Sequence, residues 1–269
     1  MRFLDLSLNQ SVPDAKTIWL YRERLAQKGL IEKLFSTFDR ALKNQGYLAM
    51  SGQVIDASII SAPRQRMTKE EKETIKQGHI PEEWKKNLSK LAQKDRDARW
   101  VLKYSKAKTQ ENGKLIDLAI PAFGYKNHIS MDKRYGFIRK SQTTDASRYD
   151  GKILPEFLEK ENTCSKVWGD TTYRSEKNEE LLYNNGFVSH LHRKKPKGKP
   201  MASPTRKANS RKSQIRAKVE HVFAVQKDKM GLFIRTIGLK RAHIKITLTN
   251  IAYNMKRLIF WEERRAFTG

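Results

Sequence analysis

The chain has 269 residues, 38% of them hydrophobic and 31% charged, enough for one large domain or two small ones with a real core. Lys and Arg outnumber Asp and Glu by 55 to 29, a formal net charge of +26, which says little about fold but predicts attraction to a polyanion, nucleic acid first. No apolar run approaches a spanning helix, no basic amphipathic anchor stands out, and the N-terminus MRFLDLSLNQSVPD lacks the apolar core of a signal peptide; no membrane partner and a cytoplasmic location are expected. The single Cys164 rules out an internal disulfide and reads as a small packed residue.

Residues 1 to 50 read as helical. VPDAKTIWLYRERLAQKG supplies Pro13 and Asp14 as a start and Gly29 as a stop, and LIEKLFSTFDRALKNQG repeats the pattern with Leu30, Leu34, Phe35, Phe38 and Leu42 at helical spacing. A helical hairpin is expected there, beginning so close to Met1 that any preceding DNA-binding part is expected to be missing. In GQVIDASII the period changes to two, with Ile55, Ala57 and Ile59 on one face and Val54, Asp56 and Ser58 on the other, so a strand carries a carboxylate. Residues 64–113 are highly charged and poor in apolar side chains, and read as an exposed helical excursion or loop. AIPAFGYKNHISM and FIRKSQTT read as a hairpin joined through Asp132 and Gly136. GKILPEFLEKEN reads as a short helix, SKVWGD as a strand ending on Asp170, RSEKNEELLYNNG as a helix capped by Ser175 and closed by Gly186, and FVSHLHR as a further strand. KKPKGKPMASPTRKANSRK, residues 194–212, is rich in Pro, Gly and Lys and reads as a basic loop. A helix holding Glu220 runs on to about Gly231, and a last amphipathic helix spans about 239–263. A mixed sheet flanked by helices follows from that order.

Three acids stand out: Asp56 in mid-strand, Asp170 at a strand end, and Glu220 inside the most basic stretch. From Leu181 to Val219 there is no Asp or Glu, while residues 193–218 hold eleven Lys or Arg. Hard divalent cations want oxygen ligands, and two such ions roughly 4 Å apart can clamp the attacking and leaving oxygens of a phosphoryl transfer. Carboxylates gathered without a cation would repel until one took up a proton. On spacing alone each acid also has a plain reading: Asp170 as a cap on the turn before Thr171 and Tyr173, Asp56 as a solvent-facing strand residue, Glu220 as the partner of Arg216 four residues earlier. On a regular helix Arg216, Glu220 and Lys227 fall within about 60° of one another, an acid between two cations suited to gripping phosphates beside a metal.

VIDASII, FGYKNHISMD, VWGDTTYRS, RAKVEHVFAVQK, RTIGLKRA and NIAYNMKRL follow one another in an order that resembles bacterial insertion-sequence transposases of the Asp-Asp-Glu type, in the group related to insertion sequence family five. The resemblance implies an α/β, RNase H-like catalytic domain over about 51–265, with a charged insertion at 64–113 and the basic loop at 193–212. It places Asp56, Asp170 and Glu220 on the catalytic, metal-binding positions and implies two Mg²⁺ (or Mn²⁺) ions. It also implies cleavage and strand transfer on double-stranded DNA at terminal inverted repeats, a homodimer in the synaptic complex, and a place at the bacterial nucleoid. The family signature of Tyr, Arg, Glu and Lys is met at Arg216, Glu220 and Lys227; Ser213 stands where the tyrosine is expected, which puts that residue's grip on the terminal phosphate in question but not the metal site. Two rivals are a nuclease of the same core that cuts without joining, and a truncated or domesticated copy that only binds DNA.

Arg216, Lys227, Arg174, Lys126, Arg211 and Lys212 are the expected DNA contacts, with Arg139 as a further candidate. His190 and His192 form an H-x-H pair, without the companion Cys or His a zinc site needs. Asp145 and Asp150 read as caps, and Trp84, Trp100 and Trp168 as core aromatics before base-stacking ones.

Overall fold

The computed structural model describes residues 11–109 and 115–268. Residues 1–10 of the expected helical region and residues 110–113 of the charged segment lie outside the described residues. Asp14 starts helix α1 (Ala15–Lys28) by accepting the Thr17 amide at 2.6 Å, and Gly29 ends it in the left-handed region at φ 59°. Helix α2 (Ile31–Asn44) completes the hairpin, and its Ile31 and Phe35 enter the main core.

The strands are β1 (Gln53–Ser61), β2 (Arg99–Thr109), β3 (Leu115–Asp132), β4 (Ile138–Asp145), β5 (Lys166–Gly169) and β6 (Val188–Leu191). β4, β3 and β1 run antiparallel side by side, and β1, β5 and β6 run parallel. This is an RNase H-like sheet, three antiparallel strands followed by two parallel ones, with helices on its faces. β2 adds a further antiparallel partner to the N-terminal half of β3. Where β3 changes partners it carries Gly124, at φ 152°; a β-carbon there would collide with the Ile60 carbonyl of β1, so only glycine lets the strands approach.

The alternation of β1 divides its side chains between two cores. Ile55 packs with Val167, Tyr173, Leu182 and Leu191 beneath helix α7 (Glu176–Asn184), which connects β5 to β6. Val54 packs on the other face with Trp168, Val219, Val222 and Ile251, beneath helices α8 (Ser203–Ala224) and α9 (Leu239–Thr268). Asp56 and Ser58 share the face of Val54, so the fold points them at α8. α8 ends in a π turn, Val225–Lys229, pinned by buried amides: Gln226 Nε2 donates to Asn250 Oδ1 at 2.8 Å, and Asn127 Nδ2 donates to Asn250 Oδ1 at 2.9 Å and to Gln226 Oε1 at 3.2 Å. β3, the turn and α9 are thereby locked together.

Three expectations need correction. The charged segment is a helical excursion only as far as Gln93, as α3 (Lys69–Lys76), α4 (Glu82–Lys86) and α5 (Leu88–Gln93); beyond them it joins the sheet as strand β2. Trp84 of α4 is fully buried, donating to Glu71 at 2.7 Å. The basic stretch 194–212 becomes helix from Ser203 onward, because Pro204 sits in the first turn, where its missing N–H costs nothing. GKILPEFLEKEN forms only a 3₁₀ turn, Asp150–Lys152, and α6 (Leu154–Phe157). Among the described helices none is long and apolar enough to cross a membrane.

Candidate active site

Asp56 sits at mid-strand in β1, its side chain only 14% exposed. Its Oδ1 accepts the Ala57 amide at 2.8 Å, and its Oδ2 takes Nη2 of Arg216 at 2.8 Å. Burial pushes its carboxyl above the usual aspartate range, with Arg216 and the Ala57 amide pulling the other way. Asp170 follows β5 directly. It caps the short turn Thr171–Tyr173, accepting the Thr171 amide at 2.6 Å, and Tyr173 anchors that turn in the core. The capping role read from the sequence is therefore real, and the same Oδ1 also lies 3.5 Å from Nη1 of Arg216. Glu220, on α8, places Oε1 3.7 Å from the Nη2 that holds Asp56.

One guanidinium thus touches all three acids, which come from β1, the end of β5 and α8. The Asp56 and Glu220 oxygens share Nη2, so they lie no farther apart than the two contact distances combined. Exposure rises from Asp56 through Asp170, at 40%, to Glu220, at 63%, so the cluster has a buried floor and an open rim. Burial works against the charge on Arg216, yet Asp56, Asp170 and Glu220 together more than offset that and raise its pKa above the ordinary arginine value. Among the described residues no three His, Cys, Asp or Glu side chains converge as closely as a closed metal site requires. The donor set nevertheless suits hard cations: three carboxylates, with the positive charge of Arg216 already among them.

Arg216 therefore does not stand free beside the acids as a phosphate grip, as its helical spacing suggested. Lys227 is carried by the π turn, which breaks the regular phase of α8, and its Nζ reaches Ser58 Oγ at 2.5 Å, two residues along β1 from Asp56 and on the same face. Arg174 bonds the Leu191 carbonyl at 3.4 Å and Glu179 at 3.5 Å; Lys212 bonds the same carbonyl at 2.9 Å; Arg211 is exposed on α8. Lys126 is not brought to the acids. It lies opposite Ile59 on the other face of the sheet, where it holds Asp150 at 2.8 Å and the Arg148 carbonyl at 2.6 Å. Arg139 is buried and structural, paired with Asp39 at 2.8 Å and Asp132 at 3.2 Å.

Sequence reasoning passed over two neighbours of the acids. His192 Nδ1 lies 3.8 Å from Asp170 Oδ1, because β5 and β6 pair in parallel with Gly169 opposite Leu191. The H-x-H spacing was weighed only for zinc, which it lacked the companion ligands to support, whereas the strand register would have pointed to Asp170. Ser58 was visible as the residue two beyond Asp56 on its own face. Trp84 and Trp168 are core residues, as expected, and Cys164 is half-buried with a free thiol.

A family model described as a transposase DDE domain matches residues 48–255, from just before β1 into α9, and takes in all three acids and Arg216. No solved structure matches the chain.

Proposed function

The chain belongs to the transposase DDE domain family, and from that premise we propose that Asp56, Asp170 and Glu220 are its catalytic acids and together hold two Mg²⁺ ions. As a member of this family it is a DNA transposase, an enzyme of DNA cleavage and strand transfer, and the family generally works with divalent metal ions. Bound ions would activate the attacking oxygen and neutralise charge on the leaving one.

The chain's own residues divide the remaining work. Asp56 is the fixed floor of the site, held by its strand and its neighbour's amide. Asp170 is held rigid by the turn it caps. Glu220, the most exposed, faces the side from which DNA would approach. Arg216 balances the three acids when no other cation does, and its planar fork is then positioned to turn toward a phosphate once the acids are otherwise neutralised. Lys227, Arg174, Arg211 and Lys212 flank the cluster and would contact the DNA backbone without reading sequence. Lys126 has no place in this set, because it faces the other way. His192 would keep Asp170 in place as a neutral imidazole, since burial, followed by the charge of Arg216, holds its pKa below the usual value. We assign the substrate to terminal inverted repeats and target DNA, the assembly to a homodimeric synaptic complex, and the chain to the group related to insertion sequence family five.

The observation that carries this reading is the convergence of three acids from separate elements on the guanidinium of Arg216. Asp170→Asn should abolish Mg²⁺-dependent cleavage while leaving salt-sensitive DNA binding intact, measured side by side on the same duplex. Cleavage that survives the substitution would refute the assignment.

A further inference from the structure

A second group of cations lies alongside the acid cluster, and none of its members has a carboxylate in ion-pair reach among the described residues. Lys212 is one helical turn before Arg216 on α8 and donates to the Leu191 carbonyl at 2.9 Å. Beside it His190 of β6 stacks on Trp168 of β5, ring centroids 5.0 Å apart. Lys133, in the turn between β3 and β4, holds its ammonium 4.9 Å from the centre of the same Trp168 ring. Lys218 of α8 donates to the Lys133 carbonyl at 3.1 Å, and Lys166 opens β5 on the face of Trp168.

These charges feel one another. Burial, followed by the charges of Lys212, Lys166 and Lys133, holds the His190 imidazole below its usual pKa. Lys212 is lowered by burial and then by Arg174 and Arg193. Glu179 acts in the opposite sense on this lysine and is outweighed. A solvated basic face would let its lysines spread into water. Here an indole that is 3% exposed holds the Lys133 ammonium and two backbone carbonyls hold Lys212 and Lys218, so much of the entropy of ordering these three is already spent before a ligand arrives, while Lys166 stands exposed beside them. Phosphates spaced along a strand answer that arrangement, and a second copy of this strongly basic chain does not.

We propose that Lys212, Lys166, Lys133 and Lys218, set around the Trp168–His190 stack, form a preformed track for the backbone phosphates of double-stranded DNA, leading away from the acid cluster along the β5–β6 side of the sheet. Its direction rests on the reading of Asp56, Asp170 and Glu220 as the cutting centre; its binding does not.

The test measures binding of the full chain to a labelled duplex of arbitrary sequence across a range of salt. Replacing Lys133, Lys166 and Lys218 together by Gln should weaken binding about tenfold or more and reduce the slope of log affinity against log salt by about 2 to 3, near 0.9 for each phosphate that is no longer neutralised. The same three positions changed to Arg should retain both. Lys166→Gln alone, at an exposed side chain, should reduce the slope by about 0.9 and guards against misfolding of the triple variant. Unchanged affinity and slope in the triple and single Gln variants would overturn the track. Asp170→Asn separates the two readings: if it still cleaves while the Gln variants lose affinity, the acid assignment fails and the track stands.

Discussion

Arg216 touches all three acids, so its removal exposes what it balances. Asp56 and Arg216 are each 14% exposed, and a buried carboxylate deprived of its partner costs about 3 kcal/mol, less if it takes up a proton. Arg216→Gln should therefore lower the melting temperature of the metal-free chain. Divalent cations compete with the guanidinium for the same oxygens, so Mn²⁺ or Ca²⁺ should bind this variant more tightly than the parent and recover more of the melting temperature. A calorimetric titration beside a thermal melt checks both, and unchanged or weaker cation affinity would contradict the role given to Arg216. Asp56 was legible in the sequence because the period-two pattern of β1 places a carboxylate at mid-strand, on the face of Val54 and Ser58. Glu220 was legible because it is alone in an acid-free stretch. The hold of Arg216 on Asp56 was not: helical spacing relates Arg216 to Glu220, and only the packing of α8 on β1 brings it to a strand 160 positions away.

The elements owe their positions to a few polar locks as much as to apolar burial. Asn127, Gln226 and Asn250 are fully buried and satisfy one another, so the π turn is stable only while all three are present. Gln226→Leu keeps volume but leaves two asparagine amides short of partners, and should lower the unfolding free energy by about 1 to 3 kcal/mol in a denaturant titration. A loss within about 0.5 kcal/mol, the ordinary range for substitutions away from such features, would show that the turn does not depend on this triad. Most elements could be read in advance: the caps at Asp14 and Ser175, the stop at Gly29, and the alternation of β1 each act locally. β2 could not. Its lysines interrupt any continuous apolar face, and its pairing with the first half of β3 is set by that strand's extra length. The N-terminal half of α8 reads as loop in the sequence because Pro and Gly nearby outweigh a run of good helix formers.

At the scale of the molecule, a net charge of +26 and a sheet that gathers acids from β1, β5 and α8 serve the same end. The cations concentrate a polyanion at the surface, and the acids form a negative spot within that surface where metal ions would collect beside a phosphodiester. The charge was legible from composition and the order of motifs from the sequence; the convergence was implied only by the family resemblance and not by spacing, because it depends on parallel pairing of β1 with β5 and on the crossing of α8 over both. The most direct measurement is a calorimetric titration of Mn²⁺ into the full chain and into Asp56→Asn, Asp170→Asn and Glu220→Gln. Saturable binding by the parent, weakened about tenfold or more by each single substitution, is the predicted result. Binding that is equally tight in all three variants would show that these carboxylates do not share their cations, and would contradict the account.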